Sequence, residues 1–372
     1  YSAPAGLTIN SGSGDINPST STAGTYTVTY TIPASGGCST ETATTSVTIT
    51  ALPTASISYA TPSFCNSEVS AQSTTLTGTN AYTGGTFTAT PSGLSINSSS
   101  GAITPSSSTP GTYTITYTVP ASAGCSIVTA TTSIDIKREI VITTQPQNVG
   151  VCVTEPASLS VVAVGDDRTY QWYKGTAPGT RVSNTANISG ATSNILSFNM
   201  AAISDAGIYY VIVSGDASCA SATSQEVTLN VNQVISITDQ PDSAILCEGS
   251  DITFTVVATG SIAGYQWRKN SVNIGGATGT SYTLTNITPA DDANYDVVIS
   301  SPGGLCSEAY SAIVALTVTE IPTASISYAG TPFCDTLGSG QAVTLSGTNA
   351  YTGGSYSAPA GLTIDSGSGD IN

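Results

Sequence analysis

The sequence has no histidine, one methionine and only 7 lysines and arginines in 372 residues. Each scarcity removes a class of function. Without histidine no side chain has an unperturbed pKa near neutrality, and there is no Ser-His-Asp or Cys-His nucleophile and no imidazole metal ligand. Against 23 Asp and Glu, the few basic residues leave a net charge of −16 and a pI near 4.1. Such a surface repels the phosphates of nucleic acid and the anionic face of a membrane. No run of about 18 apolar residues could span a bilayer. Tyr1-Ser2-Ala3-Pro4 is not a basic and apolar signal segment, so an export signal is expected outside these residues. An enzyme is not expected, nor a cofactor, a nucleic-acid partner or a membrane span.

What is present is apolar residues at 39%, with 37 glycines, 18 prolines and 8 cysteines, and a mean hydropathy of +0.14. That balance excludes disorder of the highly charged kind. Self-comparison then organises the chain. Residues 1–17, YSAPAGLTINSGSGDIN, return as 356–372 with one difference, Asn10 against Asp365, an offset of 355. The chain therefore reads as one turn of a longer periodic protein, cut inside a domain at both ends. At a shorter scale, residues 6–51 match 93–138 at 31 of 46 positions. The segment Pro53-Thr54-Ala55-Ser56-Ile57-Ser58-Tyr59 recurs at 322–328. A second module type shares Gln145-Pro146, Cys152 and Tyr170-Gln171-Trp172 with Gln240-Pro241, Cys247 and Tyr265-Gln266-Trp267.

These offsets divide the chain into a cut module at 1–52, whole modules at 53–139, 140–232 and 233–320, and a second cut module at 321–372. Four modules per period average about 89 residues, the size of a β-sandwich domain. Thr25 to Ile32 and Thr112 to Val119 alternate strictly between apolar and polar residues, as half-buried antiparallel strands do. Asp251 to Val256 follows the same pattern. No stretch carries a helical stripe, and at most Ala201 to Ala206 forms a short turn. The linkers Thr50-Ala51-Leu52-Pro53 and Val231-Asn232-Gln233-Val234 are too short for flexible tethers, so a fairly fixed rod is expected.

Eight cysteines in a chain that reads as exported indicate a disulfide framework. Spacing within modules pairs Cys65 with Cys125, Cys152 with Cys219 and Cys247 with Cys306. Cys334 and Cys38 are left to bond into the adjacent repeat, Cys334 with the next copy of Cys38 by the same within-module spacing. Closing a loop of about 60 residues contributes roughly 4 kcal/mol by the chain-entropy argument. No two cysteines have C-x-x-C spacing, so a thiolate metal site is not expected.

Two signatures carry a resemblance. Tyr170-Gln171-Trp172-Tyr173-Lys174 and Tyr265-Gln266-Trp267-Arg268-Lys269 each place a tryptophan where a sandwich core needs one. Asp205-Ala206-Gly207-Ile208-Tyr209 and Asp291-Asp292-Ala293-Asn294-Tyr295 have the D-x-(G/A)-x-Y form of a tyrosine corner. Residues 140–232 and 233–320 thus resemble bacterial immunoglobulin-like domains. The second cysteine follows the tyrosine by 10 or 11 residues instead of two, so a bridge across the core is not expected. The other module, with G-L-x-I-[ND]-x-x-x-G-x-I-x-P from Gly6, Gly93 and Gly361, resembles putative-Ig and cadherin-like repeats. The ensemble is similar to the giant repetitive adhesins of Bacteroidetes surfaces, of the gliding-motility adhesin SprB type, which leave by a type IX system. The resemblance implies tandem Ig-like antiparallel β-sandwiches in a linear array. It also implies an extracellular, cell-surface location and a role in attachment or gliding, with further copies of the repeat as partners. The alternatives are a glycan-binding array facing surface glycans or other cells, and the accessory region of a secreted hydrolase.

Sharper sites are few. Asp365 and Asp370 alternate with oxygens and glycines as a calcium loop does, yet the sister loop from Asn97 to Ala102 has no carboxylate and Asn10 replaces Asp365. Asp166-Asp167 and Asp291-Asp292 are adjacent and point apart, which does not suit an acid/base couple. Lys137, Lys174 and Lys269 are too few for a general isopeptide framework. The resemblance makes Ser243 and Thr336, in Asp-Ser-Ala and Asp-Thr-Leu, candidate O-glycosylation sites. Asn97, Asn187 and Asn286 sit in N-glycan sequons. Tyr82 and Tyr351, each in Asn-Ala-Tyr-Thr-Gly-Gly, are weighed as sugar-binding or turn-packing rings, with turn packing favoured.

Overall fold

The computed structural model describes residues 1–349 and 351–372; Ala350, in the second Asn-Ala-Tyr-Thr-Gly-Gly motif, lies outside the described residues. The chain divides into two compact units, one of residues 1–147, 158–197 and 208–228, the other of 148–157, 198–207 and 229–372. Among the described residues the regular elements are β-strands and short 3-10 turns, with no α-helix. The one helical candidate, Ala201 to Ala206, holds the 3-10 turn Ile203–Asp205.

In the first unit, the alternating Thr/Tyr/Val segments form strands as their period requires. Gly111–Val119 pairs antiparallel with Val128–Lys137 and with Thr86–Thr90. The short strand Ser63–Cys65 adds in parallel at the far edge, against Asp135 to Lys137. Tyr113, Ile115, Tyr117 and Val119 all point to one face and are buried with Phe64, Phe87, Ile103 and Ile134. The Tyr117 hydroxyl donates to the Tyr82 carbonyl at 2.9 Å and accepts from Gly85 N–H at 2.8 Å, so its polar tip is satisfied inside the core. The earlier copy of this strand, Gly24–Ile32, pairs with Glu41–Ile49. Its core is small, Leu7, Tyr26 and Val28. Tyr30 and Ile32, which match Tyr117 and Val119, are exposed, because the edge beside them is reduced to Ser2, which bridges Thr29, and Tyr1, whose ring packs on Tyr30 at 4.7 Å.

Also in this unit, Thr169–Lys174 pairs with Gly207–Ser214, setting Trp172 opposite Val211. Trp172 is fully buried and its Nε1–H donates to the Ser193 carbonyl at 2.9 Å.

The second unit repeats that arrangement around Trp267. One sheet runs Ala244–Cys247, Val314–Thr319, Ala293–Ser300, Gly264–Lys269 and Val272–Asn273, and its first pair is parallel. Facing it are Ile252–Thr255 with Ser281–Leu284, and Ser236–Asp239 with Val257–Thr259. Trp267 fills the space between them, with Phe254, Tyr282 and Tyr295 around it and its Nε1–H on the Gly279 carbonyl at 3.0 Å. The pair Val149–Cys152 and Val227–Asn232 contributes a second parallel contact, Cys152 opposite Asn232. Thr323–Tyr328 and Val343–Thr348 form a separate antiparallel pair.

The D-x-(G/A)-x-Y signature builds a corner in this unit. The Tyr295 hydroxyl donates to the Asp291 carbonyl at 3.1 Å, and Asp291 Oδ2 accepts from the backbone N–H and the hydroxyl of Thr288 at 3.0 Å each. Burial pushes the Tyr295 phenol up to about 12, aided by the Asp291 charge. A tyrosine whose folded pKa lies above its unfolded value of about 10 stabilises the fold fully below pH 10, and that contribution is lost as pH climbs toward 12. Alkaline denaturation monitored by calorimetry is expected to show a loss of stability between about pH 10 and 12 that Tyr295→Phe removes. An identical pH profile in the variant would show that another group is responsible.

Candidate functional site: the disulfide staples

The cysteines do not pair as their spacing suggests. Cys65 bonds Cys219 and Cys152 bonds Cys306, each pair 154 residues apart. Cys38, Cys125, Cys247 and Cys334 are free thiols. The pairings expected from spacing, 65 with 125, 152 with 219 and 247 with 306, are therefore corrected.

Strand register explains why. Cys65 ends its strand opposite Lys137, whereas Cys125 lies in the turn that joins Val119 to Val128. These are opposite ends of one hairpin. Nine residues of strand at about 3.3 Å each separate them by roughly 30 Å, and a disulfide needs Cα atoms within about 7 Å. Cys247, opposite Thr319, is separated from Cys306 in the same way, because Cys306 follows the far end of Ala293–Ser300. A strand-end cysteine can reach only a loop cysteine brought to it from further along the chain.

The surroundings of each staple are built from short polar residues. At the first, Ser63 Oγ donates to Asp216 Oδ1 at 3.0 Å and Ser218 N–H donates to the same oxygen at 2.8 Å. The Ser218 backbone bond is the main cause that holds the Asp216 carboxyl below its ordinary range. Glu139 N–H donates to Asn66 Oδ1 at 2.7 Å. At the second staple, buried Ser301 brackets Cys306, accepting from its N–H at 2.9 Å and donating to its carbonyl at 2.7 Å. A Cβ added to Gly150 would stand 2.6 Å from Leu305 Cδ1, so a larger residue there has to displace the Leu305 side chain.

The remaining candidates resolve into local structure. Asp365 Oδ1 accepts N–H bonds from Gly367 at 2.9 Å and Ser368 at 2.7 Å, and these bonds hold its carboxyl below the usual range. Asn10 accepts from Gly12 and Ser13, and Asn97 from Ser99 and Ser100, in the same manner. Asn and Asp interchange because the turn needs an acceptor and not a charge. Asp370 shares the turn through its N–H on Ser368 Oγ, and no cluster of metal-binding side chains occurs among the described residues.

The adjacent acids have separate partners. Asp166 caps Arg138 N–H and Asp167 pairs with Lys137 at 3.1 Å, while Asp291 caps Thr288 and Asp292 accepts from Val318 N–H. Lys269 Nζ lies on the Ala290 carbonyl and Lys174 Nζ over the Tyr209 ring. The Tyr82 and Tyr351 rings pack on Gly78 and Gly347, where an added Cβ would clash at 2.6 and 2.7 Å. Ser243 and Thr336 are exposed; Ser243 Oγ accepts Ala315 N–H at 3.2 Å, and Thr336 Oγ1 lies 3.2 Å from Cys334 Sγ.

Residues 141–232, which hold Cys152 and Cys219, match one known family. Its description is "Ig-like domain CHU_C associated". The Ig-like segment is thus bonded through Cys219 to a residue before it and through Cys152 to a residue after it. Among solved structures, an I-band fragment of titin is 15% identical over 72% of this chain and 99% of its own, with a TM-score of 0.49. The third to fifth extracellular domains of Drosophila OTK are 14% identical over 69% of this chain and 93% of theirs, at 0.40. Immunoglobulin domains 1–5 of Sidekick-1 are 16% identical over 85% and 71%, at 0.36. No curated protein matches the chain. The chain is all-β, with Ig-like domains in tandem, and its disulfides belong to an oxidising compartment.

Each bond closes a loop of 154 residues, for which the chain-entropy argument gives roughly 5 kcal/mol. Non-reducing peptide mapping is expected to recover the 65–219 and 152–306 links, with alkylation at Cys38, Cys125, Cys247 and Cys334. In Cys219→Ser, Cys65 becomes alkylated while the 152–306 link persists. A 65–125 peptide in either protein would overturn the register argument.

Proposed function

We propose that this chain is a non-enzymatic, load-bearing stalk segment of a large repetitive bacterial cell-surface adhesin serving attachment or gliding, with its modules divided as the sequence offsets divide them. The observation that supports this reading best is that the two disulfide loops overlap. Residue 152 lies inside the loop closed by 65 and 219, and residue 219 inside the loop closed by 152 and 306.

The consequence is mechanical. When every domain between Cys65 and Cys306 has unravelled, the shortest covalent path runs from Cys65 across to Cys219, back to Cys152 and across to Cys306. That path contains 67 residues of main chain, against 241 without the bonds. At about 3.5 Å per extended residue the limit is roughly 230 Å instead of about 840 Å. Ordinary catalysis or ligand capture does not call for such a limit, whereas a tether does. The low charge, the absence of histidine and the abundance of serine and threonine agree with a passive exterior.

Single-molecule stretching of the chain is expected to show the contour released between these cysteines increasing about 3.5-fold when a reducing thiol is added, together with fibres of serial domains in electron micrographs of the native molecule. An unchanged contour on reduction, or a compact native particle, would remove the mechanical role.

A further inference from the structure

The free thiols are not scattered. Cys65, Cys152 and Cys247 occupy one position in three sheets. Each ends a short strand paired in parallel with a later strand, opposite Lys137, Asn232 and Thr319 respectively. In each case the next residue's N–H donates to that opposite residue's carbonyl, Asn66 to Lys137 at 2.8 Å, Val153 to Asn232 at 2.8 Å and Glu248 to Thr319 at 2.9 Å. Two of the three are bonded, and Cys247 has the same setting without a bond.

The loop cysteines are equally regular. Cys219 Sγ lies 3.9 Å from the Lys137 carbonyl and 3.7 Å from that of Arg138. Cys306 Sγ lies 3.5 Å from the Asn232 carbonyl. Cys125 Sγ lies 3.8 Å from both the Thr50 and the Ala51 carbonyls, and in the repeat Thr50 and Ala51 are the counterparts of Lys137 and Arg138. Cys125 therefore sits where Cys219 sits, at the end of a strand, beside a cavity of about 190 Å³ lined by Thr50, Ala51, Pro53 and Ala81. Only the strand-end cysteine that would face it is missing. Cys38 repeats Cys125, with its N–H on Ser35 as that of Cys125 is on Ser122, and Cys334 repeats Cys65 in the sequence offset.

We propose that the four free cysteines are open halves of the same staple, closed between successive copies of this repeat: Cys247 bonds Cys38 of the following copy, and Cys334 bonds its Cys125. The rule is that a strand-end cysteine joins the loop cysteine of the next module, and it makes the staple continuous along the chain. The Thr336 hydroxyl and N–H hold the Cys334 thiol below its ordinary value, which favours the attacking thiolate. Closure needs a two-electron oxidant, here a small-molecule or protein disulfide. One thiolate attacks it and releases a thiol, the second thiolate displaces the other sulfur, and one S–S bond forms as the oxidant is reduced to two thiols. The pairing is independent of the load-bearing reading, since staples can close in a chain that carries no tension.

The test compares the 372-residue chain with two copies fused through their shared 17-residue segment, both produced with oxidised glutathione. Denatured thiol titration is expected to give four free thiols for the single copy and again four for the double copy. Peptide mapping is expected to show Cys247 of the first copy linked to Cys38 of the second, and Cys334 to Cys125. Replacing Cys247→Ser in the first copy frees one thiol, on Cys38 of the second. Recovery of the 65–219 and 152–306 links in the same map establishes that the chains have folded. A thiol count that doubles with copy number, or a link from Cys247 to Cys306, would overturn the proposal.

Discussion

A short strand laid in parallel against the end of a much later one sets the geometry on which the rest depends. In an antiparallel hairpin the turn and the open end are as far apart as the strands are long. Cys65, Cys152 and Cys247 are held at the open end by their parallel partners, and the loop cysteines lie beyond the turn. Bonding within a sheet is thereby excluded by distance, and the sulfur atoms are available only to something arriving at the strand end. The polar residues near the bonds, Asp216, Asn66 and Ser301, satisfy the backbone where the chain leaves one sheet.

Much of this was legible in the sequence. Strict alternation in Thr112 to Val119 gave the strand and its buried face, and the tryptophans and D-x-(G/A)-x-Y signatures gave the sandwich core and its corner. The polar turn at Asp365 was legible from its asparagine sister loops. The disulfide partners were not, because spacing measures distance along the chain, and only the register of strand against strand reveals which end of a sheet a residue occupies. The parallel pairing of Ser63–Cys65 rests on three residues, too short to leave a periodic signal. One trace was present. Cys65 to Cys219 and Cys152 to Cys306 have equal separations, a coincidence that the within-module pairs at 60, 67 and 59 do not share.

Repetition with and without its neighbours also separates what a strand needs from what a sequence offers. Tyr117 and Tyr30 lie in nearly identical segments, yet one is buried under Phe87 with its hydroxyl satisfied and the other is exposed. The difference is the extent of the edge strand, five paired residues in Thr86–Thr90 against the single bridge of Ser2 to Thr29. Burial here is conferred by residues far from the motif, so two nearly identical segments report two environments.

The overlap of the two covalent loops has one more consequence, which concerns cutting instead of pulling. Every peptide bond between Cys65 and Cys306 lies inside at least one of the loops. A single nick anywhere in that span leaves the molecule in one covalent piece. Separating the ends of the span by cleavage alone takes a cut in each of the segments 65–152, 152–219 and 219–306, and loss of one bond reduces this to a single cut in the segment that the remaining bond does not span. A chain built this way tolerates isolated proteolytic damage in its loops, the sites where proteases act most readily, and fails only after lesions have accumulated.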